Sequence, residues 1–152
     1  MSAGDIVLAL DTPPAAYDEE VADETAWTNT SFDSGSSVCG TTFVAPTSGA
    51  VVVHWFARLQ ANSANQRALA SISVATGGTL GSGTVVSAAN DDGAIETSQG
   101  TTGGVETRMG ASAFRYISGL TAGSTYNVVV QKKVFGGNGS IFHRSVLVLP
   151  AP

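Results

Sequence analysis

Between Val51 and Leu59 the hydrophobic side chains fall into two interleaved sets. Val51, Val53, Trp55, Ala57 and Leu59 share one face of an extended chain, and Val52, His54, Phe56 and Arg58 share the other. A half-exposed antiparallel strand alternates apolar with polar. Two substantially apolar faces therefore predict a strand covered on both sides, once by a sandwich core and once by something else. The preceding "APTSG" sets Pro46 and Gly49 where tight turns favour them. Further apolar runs predict strands over Leu69–Val74, Thr84–Ala89, Ser112–Ile117, Thr125–Val134 and Ile141–Leu149. Turn-forming stretches separate them: "TGGTLGSG", "NDDG", "TSQGTTGG", "SGLTAGS" and "FGGNGS". No run of ten or more residues carries helical periodicity, and no fixed-period repeat is present. The pattern predicts an all-β chain of seven to nine strands in two packed antiparallel sheets.

Composition agrees with this reading. Of the 152 residues, 43% are hydrophobic, only 12% are charged and 18 are glycine, which suits short strands and tight turns. Charge divides the chain unevenly. Residues 1–33 hold eight acids and no Lys or Arg, whereas residues 34–152 hold four acids and seven bases, so the two parts carry −8 and +3. The acidic balance argues against a nucleic-acid binder. With Pro13 and Pro14 favouring extended backbone, and at most a turn or two of helix over 17–26, residues 1–26 are expected to form an arm and residues 27–152 the globular body. The arm reads either as a solubilising tail or as a segment docking on a basic partner. Its docking residues are then Ile6, Val7, Leu8 and Leu10, offering a strand, and Asp18, Glu19 and Glu20, steering by charge. The start has no basic region before its short apolar run, and no run reaches the roughly 20 apolar residues of a membrane helix, so neither a signal peptide nor a membrane partner is expected.

Candidate chemistry is sparse. "GGTLGSG" at 77–83 has the glycines of a phosphate loop without its Lys-Ser/Thr pair or a following helix. His54 and His143 are isolated, with no nearby acidic ligand pair to complete a metal site. Cys39 with His54 would lack an orienting group and an oxyanion hole, and Cys39 reads as a small packing residue at a strand start. Asp91 and Asp92 read as a solvated hairpin tip rather than a calcium loop. Lys132, Lys133 and Arg144 read as a solvated basic edge, with a face toward an acidic partner as the alternative. Asn29 and Asn138 satisfy the glycosylation pattern and mean little without export. The expectation is no catalytic residue, no metal and no cofactor.

Two resemblances rest on strand and turn residues. "TTFVAPTSGAVVVHW" resembles the Phe-x-Ala-Pro-x-x-Gly segment of the trimeric jelly rolls related to complement and tumour-necrosis-factor domains, through Phe43, Ala45, Pro46 and Gly49. "GLTAGSTYNVVVQKKV" is similar to a stretch of fibronectin type III domains, with Ala122 in place of the usual proline. Of the two the jelly roll is preferred. Over residues 38–152, "CGTTFVAPTSGAVVVHW", "GTVVSAAND", "GLTAGSTYNVVV" and "RSVLVLPAP" together resemble small virion proteins of tailed bacteriophages infecting actinobacteria.

That resemblance implies a structural component of the particle, commonly trimeric, made in the host cytoplasm and placed on the capsid or the tail. It brings no catalytic residues. Self-association is expected to cover the second face of the 51–59 strand, through Val52, His54 and Phe56 with Phe114 and Tyr116 facing them. The implied partners are two further copies and a major capsid or tail protein. The alternatives are a minor tail or fibre-tip protein that contacts host-envelope glycans through the loops at 90–104 and 135–140, and a fibronectin-like adhesion module.

Overall fold

A computed structural model of the chain describes residues 13–62, 64–98 and 108–152. Ten strands and no helix are present among them. In chain order they are β1 (Ala16–Glu20), β2 (Glu24–Trp27), β3 (Gly40–Val44), β4 (Val51–Ala61), β5 (Arg67–Thr76), β6 (Val85–Ser87), β7 (Ile95–Ser98), β8 (Arg108–Ile117), β9 (Thr125–Val134) and β10 (Gly139–Pro150).

They form two antiparallel sheets. One runs β1-β10-β4-β8, with β2 following β1 along the same edge of β10; the other runs β3-β9-β5-β6, with β7 also on β5. The pairings nest. The first strands pair with the last (β1 and β2 with β10), β3 pairs with β9, β4 with β8, and β5 with β6 and β7. One long hairpin wound upon itself gives this order, which is jelly-roll-like. The fibronectin-like alternative is set aside by the same nesting. Its motif is explained locally: Tyr126 is buried, and its hydroxyl accepts a 2.9 Å hydrogen bond from the Thr121 amide, fixing the β8–β9 turn. A tyrosine holding a corner in this way also marks immunoglobulin-like sandwiches.

The core lies between the sheets. Val51, Val53, Trp55, Ala57 and Leu59 of β4 meet Ile72 and Val74 of β5, Val128 and Val130 of β9, and Ile141, Val146 and Val148 of β10. At the β8 edge Arg115 clasps the two sheets. Its guanidinium donates to Ala88 O (3.1 Å), Ser71 Oγ (3.2 Å) and Asn90 Oδ1 (3.2 Å).

Within the segment expected to be an arm, residues 16–20 and 24–26 are strands of the sandwich. Asp18 Oδ2 accepts from the Gly40 amide at 2.8 Å, so the acid that lowers strand propensity is satisfied by tertiary structure. Ile6, Val7, Leu8 and Leu10 lie outside the described residues.

Candidate functional site

The outer face of the β1-β10-β4-β8 sheet carries the residues expected to self-associate. Strand register lines them up in rows across the sheet. Tyr17, Leu147, His54 and Phe114 form one row; Leu149, Val52 and Tyr116 form the next; Glu19, Ser145, Phe56 and Ser112 form the row on the other side. His54 stacks in tilted fashion on Phe114, with ring centroids 5.7 Å apart, and Phe56 meets His143 edge-on at 5.3 Å. Alternation along β4 puts its odd-numbered residues in the core and its even-numbered ones on this face.

The face is open. Phe114 is 70% exposed, and Tyr116 and Tyr17 are each 57% exposed, while Val52 and Phe56 are half-buried by their neighbours. Adjacent exposed aromatics of this size are unusual on a protein that stays alone. Charge divides the same face. At the β1 margin Glu19 Oε1 lies 2.6 Å from His143 Nε2. A bulge in β10 brings Phe142 and His143 onto the face in succession, and on the β4–β8 side Arg108 stacks on Phe142 at 4.0 Å with Arg58 at 5.8 Å. Tyr17, Leu147 and Arg108 were not singled out in the sequence, because they join the patch only through pairings with distant strands.

The basic cluster expected at a solvated edge is instead inside the molecule. Arg144 is 1% exposed and Lys132 is 4% exposed. Both meet Glu24, with Lys132 Nζ 2.7 Å from Oε2 and Arg144 Nη2 2.8 Å from Oε1. Arg144 also donates to Ala22 O at 3.1 Å and to Ser37 O. Burial alone would raise the Glu24 pKa. Hydrogen bonds from Lys132 and from the Ser37 and Ser36 amides, with the Lys132 charge, outweigh it and hold the carboxyl below its ordinary value. The positive excess of residues 34–152 thus answers, in part, the negative excess of residues 1–33 within the chain itself. Lys133 pairs with Asp91 at 2.6 Å, which occupies that candidate calcium ligand.

The remaining candidates are placed as follows. Cys39 is wholly buried between the sheets, and burial, then the Asp18 charge, pushes its thiol up to about 12. His54 points out from the opposite side of β4, so the two form no dyad. The 77–83 turn is organised by buried Asn127, whose Nδ2 donates to Ser82 O at 3.0 Å while Oδ1 accepts from the Gly81 amide at 3.0 Å. Gly83 has φ +104°, and a Cβ there would meet Thr76 O at 1.9 Å, so its glycine serves the turn. Glu20 Oε1 accepts from the Ala22 amide at 2.7 Å. Asp18, Glu19 and Glu20 are therefore all engaged within the chain. No group of three His, Cys, Asp or Glu side chains among the described residues is arranged to hold a metal ion. A polar cleft of about 360 Å³ lies where the 135–140 loop meets Gln60, Asn62 and Arg108, with Asn138 and Ser140 in its wall.

No family model matches the chain, and no curated protein matches it. Among solved structures it is similar to a chain from "Structure of infectious bursal disease virus Gx strain", at 12% identity and a TM-score of 0.26, covering 91% of this chain and 43% of that one. This chain spans less than half the length of that viral protein, and a likeness of this degree carries no argument about fold or function.

Proposed function

We propose that the chain is a non-enzymatic structural protein of a tailed-phage virion, a homotrimeric subunit decorating the capsid or serving as a minor capsid protein. Its attachment surface on the particle is the major capsid protein or a tail protein. The observation that carries the reading is the bare aromatic face around His54, Phe56, Phe114 and Tyr116. An exposed apolar patch rimmed by polar residues is the mark of an association surface. A second copy is the occupant that the face itself favours, because Glu19 on the β1 side and Arg58 and Arg108 on the β4–β8 side give one patch opposite charges across its width. Repetition of one such patch about a three-fold axis brings unlike charges together. The strand and turn resemblance to actinobacterial phage virion proteins and to trimeric jelly rolls supports the same reading. Mass spectrometry of purified virions, with a copy-number estimate, tests it: hundreds of copies per particle are expected, and absence from the particle overturns it.

A second reading is favoured by the polar cleft at the 135–140 loop. Amide, hydroxyl and guanidinium groups converge there, as a glycan site on a tail or fibre-tip protein would require. Binding to host envelope, lost on Asn138→Ala, together with only a few copies per virion, would favour it over decoration.

A further inference from the structure

A groove of about 480 Å³ opens where the edge strands β1 and β3 come together. Pro13 and Pro14 form one wall, Phe43 and Val44 the other. Its size falls within the range of about 300–1,000 Å³ typical of binding clefts. The β3 side is also an open sheet edge. Val130 N–H donates to Cys39 O and Ala45 N–H to Ser124 O, so with the register of Gly40 opposite Val129 the amides of Thr41 and Phe43 point to β9. Gly40, Thr42 and Val44 turn theirs outward. The Gly40 amide is taken by Asp18, and among the described residues β3 pairs with β9 alone, so Thr42 and Val44 offer a short ladder beside an apolar wall.

The described chain begins at Pro13, on the rim of this groove, and is preceded by the apolar run Ile6–Leu10. Each proline fixes its own φ, and proline disfavours helical backbone at the residue before it, so the Pro13–Pro14 pair favours an extended course. Neither proline has an N–H with which to pair a strand folded back upon it. The three steps from Leu10 to Pro13 span up to about 11 Å, so the run can enter a neighbouring groove that opens within that distance of Pro13.

We propose that Ile6–Leu10 of one copy lies in the β1–β3 groove of a neighbouring copy, adding a strand to the edge of β3 at Thr42 and Val44. Alternate side chains of the run would enter the groove while its backbone pairs with the ladder. This exchange rests on the proposed self-association, deepens it, and makes each subunit complete only in its assembly.

The test is the full chain carrying Leu8→Cys and Val44→Cys, with Val7→Cys and Val44→Cys as a second pair for the other face of the run. Val44 is 38% exposed, and Cys39 is buried with its thiol pushed up, so it does not compete. Mild oxidation followed by a non-reducing gel should give covalent dimers and trimers that reductant returns to monomer. Cross-links confined to single chains in both pairs, or thiols left free in both, overturn the exchange. Light scattering of the unmodified chain separates the two ideas. A trimer without intersubunit cross-links removes the exchange alone, and a monomer removes the self-association as well.

Discussion

His54 of β4 stands directly opposite Phe114 of β8, their rings 5.7 Å apart, on the side of the sheet away from the core. Each ring shields one side of the other, and Phe114 keeps 70% of its surface in water. A charge placed there should act on association and leave the fold intact. Phe114→Asp is expected to convert the proposed trimer to monomer while shifting the stability of the body by no more than about 0.5 kcal/mol, as surface changes do. Light scattering and thermal unfolding of the same sample check both halves.

The Glu24 site makes the opposite prediction. Glu24→Gln removes the carboxylate that Lys132 and Arg144 share and leaves two buried cations uncompensated. Breaking a buried pair from one side costs about 3–5 kcal/mol. Urea unfolding should show that loss in the midpoint without a change in slope.

Acid should erode the same interaction. The folded Glu24 carboxyl lies below its ordinary value of 4.5, so the stability it contributes is fully present above that pH. It is lost as pH falls through the lower folded value. The difference in unfolding temperature between the natural chain and Glu24→Gln should be constant at neutral pH and shrink below about pH 4.5.

Cys39 should be chemically silent in the folded protein. Its sulfur is enclosed beside the Arg144 carbonyl, at 3.6 Å, and the thiol is pushed up to about 12, so little thiolate forms near neutrality. A thiol reagent at pH 8 is expected to label the native chain no faster than it unfolds, then to find one thiol per chain in denaturant. Rapid labelling of the native state would mean that the β3 edge opens.

What could be read from the sequence was set by how local the cause is. β9 matches its expected bounds of Thr125 and Val134, and β4 divides its two faces as its alternation requires, because a pleat reports burial residue by residue. β1, with "AYDEE", has poor strand formers and weak alternation. It is a strand because β10 pairs with it and because Asp18 finds the Gly40 amide, 22 residues away. Charged residues on an edge strand are also how sheets discourage further pairing, so their presence argued against the very element they belong to. Lys132 and Arg144 looked exposed because their counter-ion Glu24 is 108 and 120 residues distant. The aromatic patch was half legible. The β4 contribution follows from periodicity, whereas Tyr17 and Leu147 join it only through register.

Light scattering on the full chain across a micromolar dilution series is the most direct test of the account. A stable particle of three times 15.3 kDa is the predicted result. A particle of one chain's mass throughout, with Phe114 and Tyr116 remaining in water, would contradict it.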